Sequence, residues 1–213
     1  MHDPVYEEAH RGHTIKIYHD PDAESPREWS NLGTLICWHR RYRLGDSHSF
    51  DSPEAFLRDL AGISEQRDLS MDRLQERAER NAILLPVFLY DHSGLAMNTI
   101  GFHCPWDSGQ VGYIYVTLEA VRKEFGVKRV TKARREKAED ILRGEIVSYD
   151  TYLGGRVYGY VIEHNGEELD ACWGFFGHYE LDCLFEARAF VDHLILREVH
   201  RPAAEQGASP PPS

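Results

Sequence analysis

The chain has 213 residues, of which 42% are hydrophobic and 28% are charged, and its formal net charge is −11. This length and balance fit a globular protein with one domain, or two small ones that share a core. The longest apolar run, at 82–90, is far shorter than the ~20 residues that span a bilayer, and the opening MHDPVYEEAH lacks the basic and apolar segments of a secretory signal. We therefore expect a cytoplasmic protein that does not enter the membrane.

The predicted elements of the first half follow in chain order: a flexible segment at 1–13, an edge strand at 14–18, a loop at 19–29, a buried strand at 32–39, a polar connection at 40–51, a helix from 53 to about 62 and an exposed helix at 68–80. The strand at 14–18 (TIKIY) is indicated by alternating apolar and polar side chains. The first helix is indicated by Ser52, a good N-cap, and by Pro53, which suits the first helical position.

The second half is predicted to contain strands at 83–90, 96–102 and 111–117, turns at 91–94 and 104–110, helices at 118–126 and 132–152, a β-hairpin of 156–164 and 168–176, and a final helix at 184–199. Pro86 cannot donate a backbone hydrogen bond, so we expect a bulge in its strand. Thr117 and Thr131 are predicted N-caps. Asn165-Gly166 between two strands is a strong hairpin signal.

This order of elements is not the regular alternation of strand and helix found in doubly wound folds. It predicts an α+β fold, a mostly antiparallel sheet with helices packed on it, including a C-terminal β-hairpin followed by a helix. We expect one domain over 14–200, between the flexible N-terminus at 1–13 and a disordered tail at 201–213, whose RPAAEQGASPPPS composition does not support packing.

Negative charge is concentrated at the two ends of the chain. Residues 1–30 hold seven acidic and three basic side chains and residues 151–213 hold ten and four, whereas 118–150 holds seven acidic and nine basic ones. A negative surface repels phosphates, so direct binding of nucleic acid is not expected. The same surface suits a basic partner, including a protein that itself binds nucleic acid, although solubility alone also accounts for such a charge.

A candidate catalytic site lies in the loops at 90–110, which contain Cys104, His92, His103 and Asp107. A thiol nucleophile needs a base within hydrogen-bond reach. Because adjacent residues of an extended chain point apart, His92 is a better partner for Cys104 than His103 is. The alternative is that Cys104 packs in a structural turn, since no catalytic-cysteine signature surrounds it.

Motifs for cofactors and metals are absent from the sequence. It contains no GxxxxGK[ST], GxGxxG or GxSxG, and its twelve histidines are scattered without the HxxxH or HxH spacing of a metal site. We therefore predict neither a cofactor nor a metal.

The hairpin text is rich in aromatic and acidic residues, which makes it a candidate binding surface for a basic protein. The candidate residues are Glu163, Glu167, Glu168, Asp170, Trp173, Tyr158 and Tyr160. The alternative is that the aromatic side chains fill the core between sheet and helix, which strand alternation requires for about half of them.

Five segments carry a resemblance to a family of uncharacterised proteins from bacteriophages and other mobile elements. They are REWSNLGTLICWHRRYRLGD (27–46), LYDHSG (89–94), CPWDSGQVGYIYV (104–116), YDTYLGGRVYGYVIE (149–163) and DACWGFFG (170–177). The resemblance spans roughly 14–178 and brings no activity with it. It implies a small accessory protein of the kind that binds and blocks host machinery, including restriction and CRISPR systems, and such proteins are often acidic mimics of DNA.

Two hypotheses follow. In the first, the protein is a non-enzymatic, acidic interaction protein that binds and blocks a nucleic-acid-handling host complex, in the manner of anti-restriction or anti-CRISPR proteins. In the second, it is an enzyme with a Cys/His/Asp site in the loops at 90–110. A third reading is that these loops are purely structural.

Overall fold

The computed structural model describes residues 3–64 and 68–199. These residues form five helices and eight strands in two antiparallel sheets, so the predicted α+β class is confirmed. The strands are β1 (Tyr6–His10), β2 (His13–His19), β3 (Thr34–Cys37), β4 (Ala82–Asp91), β5 (Leu95–Asn98), β6 (Ser108–Thr117), β7 (Val157–His164) and β8 (Glu167–Phe176). The helices are α1 (Pro53–Ala61), α2 (Met71–Ala78), α3 (Leu118–Glu124), α4 (Lys132–Leu153) and α5 (Cys183–Val199).

The chain divides into two compact units. Among the described residues, unit 1 comprises 3–23 and 156–199, and unit 2 is Glu24–Gly155. The sequence predicts one domain over 14–200; in the structure, antiparallel pairing of β2 with β7 brings the two ends of the chain together in unit 1. The predicted tail at 201–213 lies outside the described residues.

Unit 1 is a four-stranded sheet in the order β1-β2-β7-β8, with α5 packed on one face. The core between them contains the buried side chains Ile15, Ile17, Ile162, Ala187 and Val191. The turn between β7 and β8 contains Asn165 and Gly166, both with positive φ, which confirms the predicted hairpin.

The N-terminal segment predicted to be flexible contains a strand instead. β1 pairs with β2, so 14–18 lies inside the sheet and is not an edge strand. Arg188 on α5 donates two hydrogen bonds of 2.6–2.7 Å to Glu8 of β1. The strand was missed because YEEAH is polar on both faces, and its contacts come from residues far away in the sequence.

Unit 2 is a four-stranded sheet in the order β3-β6-β4-β5, covered by helices on both faces. α4 packs on one face through Ala138, Leu142 and Ile146, and α1 and α2 pack on the other. Consecutive residues of β4 are buried accordingly on both faces, as its apolar sequence predicts. The register of β4 against β6 shifts between Val87 and Phe88, directly after Pro86.

A buried ion cluster fixes the segment at 38–48 in unit 2. Arg27 is only 6% exposed; its guanidinium donates to Asp46 at 2.8 and 2.9 Å and to Glu145 at 3.0 Å. The Glu145 carboxylate also accepts from the backbone N–H of Leu32 and Gly33. One cation therefore connects the start of β3, the segment at 38–48 and α4.

Candidate functional site

The loops at 90–110 bring three of the four candidate catalytic residues together in unit 2. The Cys104 thiol donates to Oδ2 of Asp107 at 3.5 Å, and Nδ1 of His92 lies 3.4 Å from the same oxygen. His103 is exposed. The carboxylate of Asp107 is thus in contact with both the thiol and the imidazole.

This arrangement of thiol, carboxylate and imidazole differs from that of a catalytic cysteine and its base. In such a site the imidazole accepts the proton of the thiol and the carboxylate orients the imidazole. Here the thiol contacts the carboxylate. The backbone N–H of Asp91 donates to the carbonyl of Asp107 at 2.9 Å, and Ser108 Oγ donates to the carbonyl of Cys104 at 2.5 Å. These bonds close a turn against β4, which favours the structural reading.

A polar cleft that sequence reasoning missed adjoins this turn. His39, Arg41, Asp91 and Asp107 line it beside Trp106, whose side chain is 92% exposed. Arg41 pairs with Asp91, and the Tyr42 hydroxyl lies 3.3 Å from the other oxygen of that carboxylate. Most of the residues that line this cleft come from two segments, WHRRYR and CPWDSG, that are distant in the chain, and nothing in either segment indicates that they meet. Within 3–64 and 68–199, no three His, Cys, Asp or Glu side chains converge as metal ligands would.

The second candidate site is a groove on the face of the unit 1 sheet opposite α5, called the Trp173 groove below. It has a volume of about 680 Å³ and is lined by Asp3, Tyr18, His19, Pro21, Val161, Glu163, Glu168 and Trp173. It therefore gathers three of the seven predicted binding residues, Glu163, Glu168 and Trp173.

A bulge in the hairpin places Glu168 and Trp173 on the same face. Residues five apart in a regular strand point to opposite faces. Here Glu163 pairs with Glu168 while Ile162 pairs with Asp170, so Leu169 is an additional residue that reverses the alternation. The carboxylate and the indole consequently line one groove.

The indole of Trp173 packs closely against Gly159. A Cβ at position 159 would collide with the six-membered ring of that indole, so only glycine allows this approach. The Tyr18 ring is 6.4 Å from the Trp173 ring and inclined to it by 38°. Trp173 remains 44% exposed, so part of its ring is open to solvent.

The acidic side chains of the Trp173 groove differ in their pairing. Lys16 on β2 donates to both carboxylate oxygens of Glu163 at 2.8 Å, which neutralises that acid. Glu168 and Asp3 are exposed. Glu168 is therefore the acid of the hairpin that faces both the groove and solvent.

The four other predicted binding residues lie elsewhere. Tyr160 is 6% exposed in the core under α5, where burial raises the pKa of its phenol, and its hydroxyl lies 3.1 Å from the Asp170 carboxylate. Tyr158 packs against Tyr179, with ring centroids 5.5 Å apart. Glu167 is exposed beside the hairpin turn. Tyr158 and Tyr160 thus belong to the sheet–helix core, as the alternative reading of the aromatic side chains holds.

Charge is divided very unequally between the units. The described part of unit 1 holds 14 acidic and 5 basic residues, whereas that of unit 2 holds 19 and 17. The interleaved acids of the basic segment at 118–150 belong to unit 2 and balance its cations. The negative field of the chain is therefore concentrated on the unit that contains the Trp173 groove.

No protein-family model matches the chain, no curated protein is significantly similar to it in sequence, and no solved structure matches it significantly. In the part of the chain that the structure describes, no helix is both long and apolar enough to cross a membrane.

Proposed function

We propose that this protein is a non-enzymatic interaction protein of a phage or other mobile element. It binds a basic host protein that handles nucleic acid in the cytoplasm, of the restriction or CRISPR kind, and blocks it. The contact surface is the Trp173 groove with the acidic residues around it.

One observation carries this proposal: an exposed tryptophan lies beside exposed carboxylates in a groove of the most acidic unit. Tryptophan and tyrosine are enriched among the residues that contribute most to protein interfaces. Carboxylates around such an anchor favour a positively charged partner and accelerate its association. A partner that normally binds nucleic acid has a surface of the required sign.

The same charges argue against nucleic acid as the ligand of unit 1. With 14 acidic and 5 basic residues, the described part of this unit repels a phosphate backbone. A protein partner is therefore the better match for this surface.

The enzymatic alternative has less support from the geometry. Cys104 contacts the Asp107 carboxylate, and no imidazole accepts its proton among the described contacts. The rate at which Cys104 is alkylated tests this alternative separately.

The test is capture of partners from a bacterial lysate on the tagged protein, with and without nuclease treatment. We expect one stoichiometric basic protein that survives nuclease and is released as the salt concentration rises from roughly 50 to 300 mM, because screening shortens the reach of the charges. Capture that requires intact nucleic acid, or binding that is insensitive to salt, would contradict the proposal.

A further inference from the structure

We propose that the Trp173 groove is a pocket for one arginine side chain of the partner. The guanidinium stacks on the indole of Trp173 and pairs with the carboxylate of Glu168. This inference rests on the proposed function and names the chemical group that the groove takes.

The aromatic part of the pocket is prepared before a ligand arrives. The six-membered ring of the indole packs against Gly159, which holds it close to the sheet, and the Trp173 side chain is 44% exposed. The ring of Tyr18 stands 6.4 Å away and is tilted by 38°, so the two rings border a common space and are not stacked on each other. A cation near a tryptophan ring is attracted by its negative face, and tryptophan is the strongest of the aromatic residues in this respect.

The acidic part of the pocket selects where the cation binds. Glu163 is already bonded through both oxygens to Lys16, so its charge is compensated. Among the contacts of the described residues, Glu168 and Asp3 of the lining have no such cation, and both are exposed. An incoming cation is therefore directed to the Glu168 side, next to Trp173.

Arginine fits these groups better than lysine does. Its guanidinium is planar, so it can stack on the indole while it donates two parallel hydrogen bonds to a carboxylate. An ammonium is a compact, strongly hydrated charge that does not stack. The apolar lining, which includes Val161 and Pro21, suits the aliphatic part of the arginine side chain.

The test uses a short blocked peptide, acetyl-Gly-Gly-Arg-Gly-Gly-amide, added to the full chain. The signal is the indole N–H resonance of Trp173, assigned by its loss in Trp173→Leu. We expect a saturable shift with the arginine peptide. A citrulline peptide, which keeps the shape and loses the charge, and a lysine peptide should each bind roughly tenfold more weakly.

Two variants distinguish binding in the pocket from general attraction to the negative charge of unit 1. Glu168→Gln removes the pairing carboxylate and should weaken arginine binding several-fold. Gly159→Ala keeps every charge but displaces the indole, and it should abolish the saturable shift. Since Gly159 lies inside the sheet, Trp173→Phe serves as a second test that does not depend on the folding of Gly159→Ala. It keeps an aromatic ring and should weaken binding less than Trp173→Leu, measured by calorimetry.

Equal binding of the arginine and citrulline peptides, or no loss in Glu168→Gln, would overturn the pocket. The proposed function is tested separately, by the nuclease-resistant capture of a basic partner. If that capture persists in Trp173→Leu at full strength, the acidic surface binds its partner without the arginine pocket. If capture fails in the wild type, the proposed function itself is wrong.

Discussion

Arg27 joins two carboxylates in the interior of unit 2, and its side chain is 6% exposed. Removing one member of a buried ion pair leaves the other charges without compensation, which costs about 3–5 kcal/mol. Arg27→Ala is therefore expected to lower the free energy of unfolding of unit 2 by about that amount in urea denaturation.

Lys132→Ala is the matched control for Arg27→Ala. It removes a cation that is 90% exposed and 3.8 Å from Glu136 on the same helix. Exposed pairs contribute little, so the control should stay within about 0.5 kcal/mol of the wild type. Equal losses in the two variants would show that the Arg27 cluster is not a stabilising element.

The four cysteines should separate into two classes on alkylation. Cys37 and Cys183 are buried, and burial raises the pKa of each thiol to about 12, so neither forms the reactive thiolate near neutral pH. Cys104 and Cys172 are accessible. Mass spectrometry after iodoacetamide treatment of the native protein should find label on Cys104 and Cys172 only.

The rate at Cys104 tests the enzymatic alternative. An ordinary turn cysteine should react no faster than the exposed Cys172. Alkylation of Cys104 much faster than that of Cys172 at pH 7 would indicate an activated thiol and would favour the alternative.

At the scale of elements, β3 pairs with β6 only because residue 112 has no side chain. A Cβ at Gly112 would collide with the backbone carbonyl of Ile36 on the neighbouring strand. Backbone cannot move aside as a flexible side chain can. Gly112→Ala should therefore destabilise unit 2 by about 3 kcal/mol or more in denaturant unfolding.

Gly109→Ala in the same strand is the control, since an added Cβ there would meet no atom of the described residues within 4 Å beyond its own residue and its two chain neighbours. It should change stability by about 1 kcal/mol at most. A tolerated Gly112→Ala would mean that the two strands do not approach as closely as described.

The elements with local signals could be predicted from the sequence, and those that depend on distant contacts could not. Ser52, Thr117 and Thr131 accept the N-cap hydrogen bonds expected of them, at 3.1–3.4 Å. β1 was missed because its polar sequence becomes a strand only by pairing with β2. The bulge at Leu169 was also missed, and without it strand alternation assigns Glu168 and Trp173 to opposite faces.

The residues of the candidate site were predictable only in part for the same reason. Glu163, Glu168 and Trp173 come from hairpin text that is visibly acidic and aromatic. Tyr18 and Asp3 come from the other end of the chain. Tyr18 reaches the groove through the pairing of β2 with β7, and Asp3 precedes β1, which pairs with β2. The alternation of 14–18 does indicate that Tyr18 lies opposite the buried Ile15 and Ile17, but it does not identify the neighbouring strand.

At the scale of the whole molecule, each unit contains one buried thiol. The pKa values of Cys37 in unit 2 and Cys183 in unit 1 are raised from 9.0 to about 12 in the folded chain. The unfolded thiols therefore ionise first, and the stability that depends on keeping them neutral is present below about pH 9 and is lost as the pH rises toward 12. Urea midpoints for both units should fall over this interval.

A variant with alanine at positions 37 and 183 is the control for the loss of stability at alkaline pH. Cys37→Ala with Cys183→Ala should be less stable at pH 7 but should lose less stability between pH 9 and 12. An unchanged slope in the double variant would assign the alkaline loss to other groups, such as the buried tyrosines.

The same reversal of charge at two places in unit 1 separates binding at the Trp173 groove from attraction to the overall negative charge of that unit. Asp3→Lys with Glu168→Lys, the groove variant, reverses two exposed acids that line the Trp173 groove, whereas Glu180→Lys with Glu186→Lys, the α5 variant, reverses two exposed acids before and on α5. Both double variants have the same net charge and both changes fall in unit 1.

The decisive measurement is the amount of nuclease-resistant partner that each double variant captures relative to the wild type. If the face of the Trp173 groove binds the partner, the groove variant should lose at least about tenfold in affinity while the α5 variant retains most of it. Equal binding by the two variants, or full binding by the groove variant, would contradict the assignment of function to this face.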